Sequence, residues 1–133
     1  MVTEFFLSLD FGAVKLTTAE THDRVIAYTS QLAHLVASAY IKSPTALKHP
    51  GYSAGSFRDM TRVAFLQESM WTELFLENRD FLLAELDRLL ENLHDFQNAL
   101  ADKDEAALRR LLKDGKERKV QVNNLPEEPY SPF

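Results

Sequence analysis

From Trp71 to Leu100 the side chains at every third or fourth position form one stripe: Trp71, Phe75, Asn78, Leu82, Leu86, Leu89, Leu93, Phe96 and Leu100. Steps of three and four are the seam of an amphipathic helix, here about four heptads long. Asn78 is the one polar member, and it marks a candidate break. Leu83 and Leu90 add a second apolar strip beside the first. A helix that is apolar on more than one face is covered on more than one face, and a second subunit can supply that cover.

The preceding pattern predicts another long helix. Thr17-Thr18 followed by "AETHD" places a capping threonine before acidic residues, and Ser43-Pro44 is a stop signal, so the helix runs to about Lys42. Val25, Thr29, Leu32, Val36 and Ala39 share one face of it. Ala27, Ser30, Ala33, Ala37 and Ser38 are small, which lets another backbone approach and puts this helix near the centre. "SPTALKHPGYSAGS" reads as a loop. A short helix over 57–65 follows, then another from near Glu68. "DKDEAALRRLLKDGKERK" forms a last helix with an acidic start and a basic end, and Gly115 is a place for it to fray or stop. Residues 4–9 resemble the end of a helix, and "FGAVKLT" at 11–17 alternates like one short strand. A single strand cannot form a sheet alone, so this one needs a partner elsewhere. The fold class is all-α, a helical bundle with one short strand near its start. Three segments are expected: 1–17, a helical domain over 18–119, and an extended or disordered tail over 120–133.

Composition removes several functions. The net charge of −5 disfavours nucleic acid and anionic membranes as partners. Absence of cysteine excludes disulfides, thiolate zinc sites and cysteine nucleophiles, and is compatible with a cytoplasmic location. The four glycines, at 12, 51, 55 and 115, make no dinucleotide or phosphate loop, and no H-E-x-x-H or G-x-S-x-G pattern occurs. The histidines at 22, 34, 49 and 94 lack clear metal-ligand spacing, so no metal is expected. His22 and Asp23 are adjacent and point to different sides of a helix, while His49 and His94 read as solvent-facing.

"SAGSFRDMTR" is the candidate site. Arg58 and Arg62 are four apart and share a helix face, with Asp59 placed to hold the Arg62 guanidinium. Two readings stand. One is a solvated ion pair worth about 0.3–0.5 kcal/mol. The other is an anion site, in which the arginine fork meets a carboxylate and Ser53, Ala54, Gly55 and Ser56 leave room for it. His34 lies in an apolar stretch, either as a core histidine on a backbone carbonyl or as a donor to a ligand. Gln31 faces nearly the same way as His34, and lies opposite His22 on a straight helix.

"THDRVIAYTSQLAHLVASA", "SAGSFRDMTRVA" and "MWTELFLENRD" occur in the order, and at spacing similar to that, of the C-terminal helical domain of prephenate dehydrogenases. The resemblance covers residues 4–119. It implies part of an enzyme that oxidatively decarboxylates prephenate, or arogenate, on the route to tyrosine. In that family a separate nucleotide-binding domain holds NAD or NADP, so no cofactor is expected on this chain, no catalytic residue lies in it, and alone it should be inactive. The strand at 11–17 then looks like the last strand of such a domain.

The resemblance further implies a homodimer, with tyrosine as a candidate effector. Arg62 matches the arginine that binds a substrate carboxylate, Trp71 the site tryptophan, and His34 the second histidine of an S-H-L-P-H pattern. His22, Asp23 and Asp59 match a charge network near the arginine, with Arg58 in support. Gln31 stands where that pattern has its first histidine and Ala33 where it has proline, while Ala54 and Ser56 replace glycines. The resemblance implies that Gln31, like His34, donates a polar contact to the substrate, although Gln31 cannot titrate near neutrality. A stand-alone tyrosine-binding regulatory or assembly module is the alternative, and an all-helical chorismate mutase is a third.

Overall fold

The computed structural model describes Glu4 and residues 17–126. The described residues are all-α, with no strand among them. The expected strand at 11–17 falls, except for Thr17, outside the described residues, as do residues 5–9 of the expected N-terminal helix. No described helix is long and apolar enough to cross a membrane.

The chain divides into two units. One is Ala19–Leu90, and the other joins 1–18 to 91–133, described at Glu4, 17–18 and 91–126. In the first, α1 (Ala19–Ile26) passes into a π-helical segment (Ala27–Leu32) and then α2 (Ala33–Tyr40), so the expected helix exists but is not uniform. A threonine hydroxyl bonds to the backbone at its start. Thr29 Oγ1 donates to the Val25 carbonyl at 3.0 Å, the acceptor that an α ladder would offer to the Thr29 N–H. Residues Ala27 and Leu32, five apart, are both buried, as π-type i→i+5 bonding stacks them. The face anticipated from a 3.6 period is corrected accordingly. Ala27, Gln31, Leu32 and Ala37 are the buried positions, while Val25 is 52% exposed.

Beyond α2, Ser43 Oγ accepts from the Thr45 N–H and Pro44 opens a 3-10 turn, Pro44–Lys48. His49-Pro50-Gly51-Tyr52 is then a tight turn. The Tyr52 N–H donates to the His49 carbonyl at 2.9 Å and Gly51 takes φ +84°, a backbone that glycine adopts without a Cβ clash. The short helix α3 spans Gly55–Thr61 and not 57–65. Thr61 Oγ1 takes the Phe57 carbonyl at 2.8 Å, and the Ala64 N–H bonds back to the Thr61 carbonyl at 3.0 Å, which tightens and closes the helix. α3 packs against α2. Gln67 caps α4 (Glu68–Glu77) through its Oε1, which accepts from the Met70 N–H.

The seam does break at Asn78, which takes φ −110° and ψ 26° between α4 and α5 (Arg79–Ala101). Two contacts tie this break to α1. Asn78 Nδ2 donates to the Asp23 carbonyl at 2.8 Å, and the Arg24 guanidinium lies 4.7 Å from the Phe81 ring centroid. Leu82 is buried, whereas Leu83 and Leu90 on the second strip are 47% and 45% exposed. The core of this unit is therefore thin.

In the second unit, α5 ends in a Schellman turn. The Lys103 N–H donates to the Leu100 carbonyl at 3.2 Å and the Asp104 N–H to the Ala99 carbonyl at 2.9 Å. Lys103 has φ +52°, where glycine is usual. Asp104 then caps α6 (Glu105–Asn123) by accepting from the Ala107 N–H at 2.9 Å. α6 continues through Gly115 to Asn123, so the first four residues of the expected tail at 120–133 are helical. One glycine costs about 1 kcal/mol in a helix, too little to stop nineteen residues capped at the start. The tail beyond Pro126 lies outside the described residues.

These two positions predict opposite substitutions. Lys103→Gly should raise stability by about 0.5–1 kcal/mol by relieving the left-handed lysine. Gly115→Ala should raise it by about 1 kcal/mol, because an added methyl meets nothing within 4 Å. Urea unfolding of each variant checks both, and a loss in either would contradict the assigned backbone.

Candidate functional site

All the candidate residues fall in the unit Ala19–Leu90. They form two groups. His34 and Trp71 meet directly, their rings stacked at 4.2 Å between centroids and inclined by 24°. Phe75 extends the cluster at 5.6 Å from Trp71. His34 Nδ1 lies 2.7 Å from the Ser30 carbonyl, which can only accept, so Nδ1 carries the hydrogen. In the neutral ring Nε2 therefore presents a lone pair, and it makes no hydrogen bond among the described residues. The backbone-bonded reading of His34 therefore describes Nδ1, while Nε2 has no partner among the described residues.

Gln31 is the buried polar residue among those described, at 7% exposure. Its Oε1 accepts from Asn78 Nδ2 at 2.9 Å and its Nε2 donates to the Leu74 carbonyl at 3.4 Å. The amide expected to face a ligand is thus engaged at both ends inside the chain. A buried amide left unbonded would cost about 1–3 kcal/mol, and Asn78 removes that cost.

The second group is on α3. Arg58, Asp59 and Arg62 are all exposed. The anticipated Asp59–Arg62 ion pair is not formed, and neither arginine has a carboxylate partner among the described residues. Arg62 caps the C-terminus of α3, where a cation also suits the carbonyl ends of the helix. The anticipated network linking these residues to His22 and Asp23 is likewise absent among the described residues. His22 and Asp23 contact each other, Nδ1 to Oδ1 at 3.2 Å, although neighbours on a helix are expected to diverge. Both side chains are more than half exposed, so that contact contributes little.

His49 was hidden from sequence reasoning. Its ring stacks on Phe57 at 4.8 Å and its Nδ1 is hydrogen-bonded to Ser53 Oγ at 2.9 Å. It braces the small-residue loop that leads into the arginine helix. The one signal in the sequence was its place beside Pro50-Gly51, which curls the chain back onto α3. Among the described residues no strand leads into a glycine-rich turn. No group of three metal-binding side chains occurs among them either.

Comparison with known proteins bears on this arrangement. Residues 18–114 match the family described as "Prephenate dehydrogenase, dimerization domain". A cyclohexadienyl dehydrogenase from Zymomonas mobilis is 37% identical over 119 residues, which cover 84% of this chain and 40% of that protein. A prephenate dehydrogenase from Lactococcus lactis is 30% identical over 105 residues, covering 74% of this chain and 29% of that one. The chain thus spans less than half the length of these relatives. In solved structures, the Synechocystis arogenate dehydrogenase shares the fold at a TM-score of 0.70 and 24% identity, over 83% of this chain and 42% of that one. A prephenate dehydrogenase from A. aeolicus, solved in complex with hydroxyphenyl propionate and NAD+, matches at a TM-score of 0.67 and 28% identity over 83% of this chain and 40% of that one. With the family matched across most of its length, the chain belongs to the prephenate dehydrogenase dimerization-domain family.

Proposed function

We propose that this chain is the dimerising and substrate-binding part of an NAD(P)-dependent prephenate dehydrogenase, which converts prephenate to 4-hydroxyphenylpyruvate with loss of carbon dioxide. The observation that carries this reading is an uncommitted guanidinium, Arg62, on a helix packed against the one that bears an uncommitted imidazole nitrogen, His34 Nε2. Prephenate is a dicarboxylate with a ring hydroxyl. Arg62 would hold one carboxylate through its planar fork, with Arg58 adding positive potential from the same helix. His34 Nε2 would accept a hydrogen bond from the substrate or, when protonated, donate one. Trp71 contributes an apolar wall and fixes the plane of the imidazole by stacking. Gln31 supports this group from behind and does not touch the ligand. His22, Asp23 and Asp59 would join the charge balance around the arginines once a dianion is bound. The relatives' hydride chemistry needs a dinucleotide, for which the described residues have no cradle, so hydride transfer is assigned to chain outside them.

Dimerisation is proposed to use the second strip. Leu83 and Leu90, seven residues apart on α5, are 47% and 45% exposed. Covering such leucines is favourable by about 25 cal/mol per Å².

Arg62→Ala should weaken prephenate binding by about 10–100-fold, the equivalent of about 1.5–3 kcal/mol for a charge-assisted hydrogen bond, with Arg62→Lys intermediate. Calorimetry measures this, and an unchanged affinity would remove Arg62 from the site. Tyrosine binding without prephenate binding in the same titration would favour the regulatory module instead. The double variant Leu83→Glu, Leu90→Glu should sediment as a monomer with its helical content intact, and a persistent dimer would move the interface elsewhere. The polypeptide alone should give no prephenate-dependent reduction of NAD or NADP, and detectable turnover would refute the division of labour.

A further inference from the structure

We propose that Asn78 is a positioning residue for the site, holding the His34–Trp71 stack in register through Gln31. The inference rests on the functional reading above for its importance to binding, but its geometry stands separately. A side-chain amide has two N–H hydrogens, and both of Asn78's are engaged. One goes to the Asp23 carbonyl at 2.8 Å and the other to Gln31 Oε1 at 2.9 Å. Gln31 returns the tie to the Leu74 carbonyl at 3.4 Å. These bonds close a circuit between the π-helical segment and the end of α4. Both members of the stack sit on that circuit. His34 is anchored on the Ser30 carbonyl, the residue before Gln31. Trp71 lies one turn ahead of Leu74 and two turns ahead of Asn78. Fixing Gln31 against Leu74 and Asn78 therefore fixes the two backbones that carry the rings.

The choice of residue follows. Asn78 must leave helical geometry, with φ −110° and ψ 26°, and asparagine accepts such backbone readily. It must also offer two donors to two acceptors. An isosteric aspartate would set oxygen against both the Asp23 carbonyl and Gln31 Oε1, and alanine would leave the buried Gln31 oxygen unbonded.

The test uses nuclear magnetic resonance on the full chain without ligand. Trp71 is the sole tryptophan, so its indole signal is unambiguous, and its stacked neighbour shifts it. In Asn78→Asp and Asn78→Ala the mutual ring shifts of Trp71 and His34 should collapse while far-ultraviolet dichroism still shows a helical chain. Leu82→Ala, which removes a buried core side chain, serves as the control: it should lower the melting temperature and leave the ring shifts in place. Ring shifts that persist in both Asn78 variants, or that collapse equally in Leu82→Ala, would overturn the proposal. Should both variants unfold, the unaltered chain decides. The two Asn78 side-chain hydrogens should exchange with solvent much more slowly than those of an exposed amide, and exchange at the free rate would overturn it.

A prephenate titration keeps the two claims apart. If the rings depend on Asn78 but prephenate never binds, the positioning holds and the functional reading falls. If prephenate binds the unaltered chain and both variants equally, with the stack intact, the functional reading holds and the positioning falls.

Discussion

A buried amide must find its hydrogen bonds, and here Gln31 finds them in Asn78 and Leu74. Much of the unit Ala19–Leu90 follows from that requirement. The long seam interrupts itself at Asn78, because a carboxamide that reaches the Asp23 carbonyl and Gln31 together sits best at a break between helices. The central helix departs from α geometry over Ala27–Leu32, which aligns residues five apart and brings Gln31 inward with Ala27 and Leu32. Small side chains at Ala27 and Ala37 allow the close approach that hydrogen bonding across helices needs. Polar satisfaction sets the register, and apolar burial fills in around it.

That burial is modest. Leu82 and Leu32 are covered, but Leu83 and Leu90 on α5 keep about half of their surface. Scattered exposed leucines are ordinary on a monomer, whereas a strip at heptad spacing is the form in which helices pair. Membership of a dimerization-domain family gives that strip a reason to exist. The same thin core leaves α3 and its arginines at the surface, where a ligand can reach them.

Elements with a sequence signature were legible. The Ser43-Pro44 stop, the start near Glu68 and the polar interruption at Asn78 each act through their own side chains, so local reading found them. The π segment was not legible, since a 3.6 period is the default for such a stretch and the contact from its Gln31 to Asn78 spans 47 residues. The inward face was therefore misjudged by a fraction of a turn. Gly115 looked like a stop because propensity was weighed alone, without the capped helix around it. The Schellman turn at Lys103 was invisible because lysine gives no hint of positive φ. Among site residues, His34 and Trp71 were read from their resemblance to a family and meet in space, while Gln31 proved to be committed internally and His49 emerged as a brace for the arginine loop.

The central claim is that α3 and the His34–Trp71 pair form one binding surface for a dicarboxylate. Mapping amide and side-chain chemical shifts of the isotopically labelled chain during a prephenate titration tests it most directly. The account predicts saturable changes at Arg62, His34 and the Trp71 indole, with none around the turn at Lys103. No saturable change, or changes gathered away from α3 and Trp71, would contradict it.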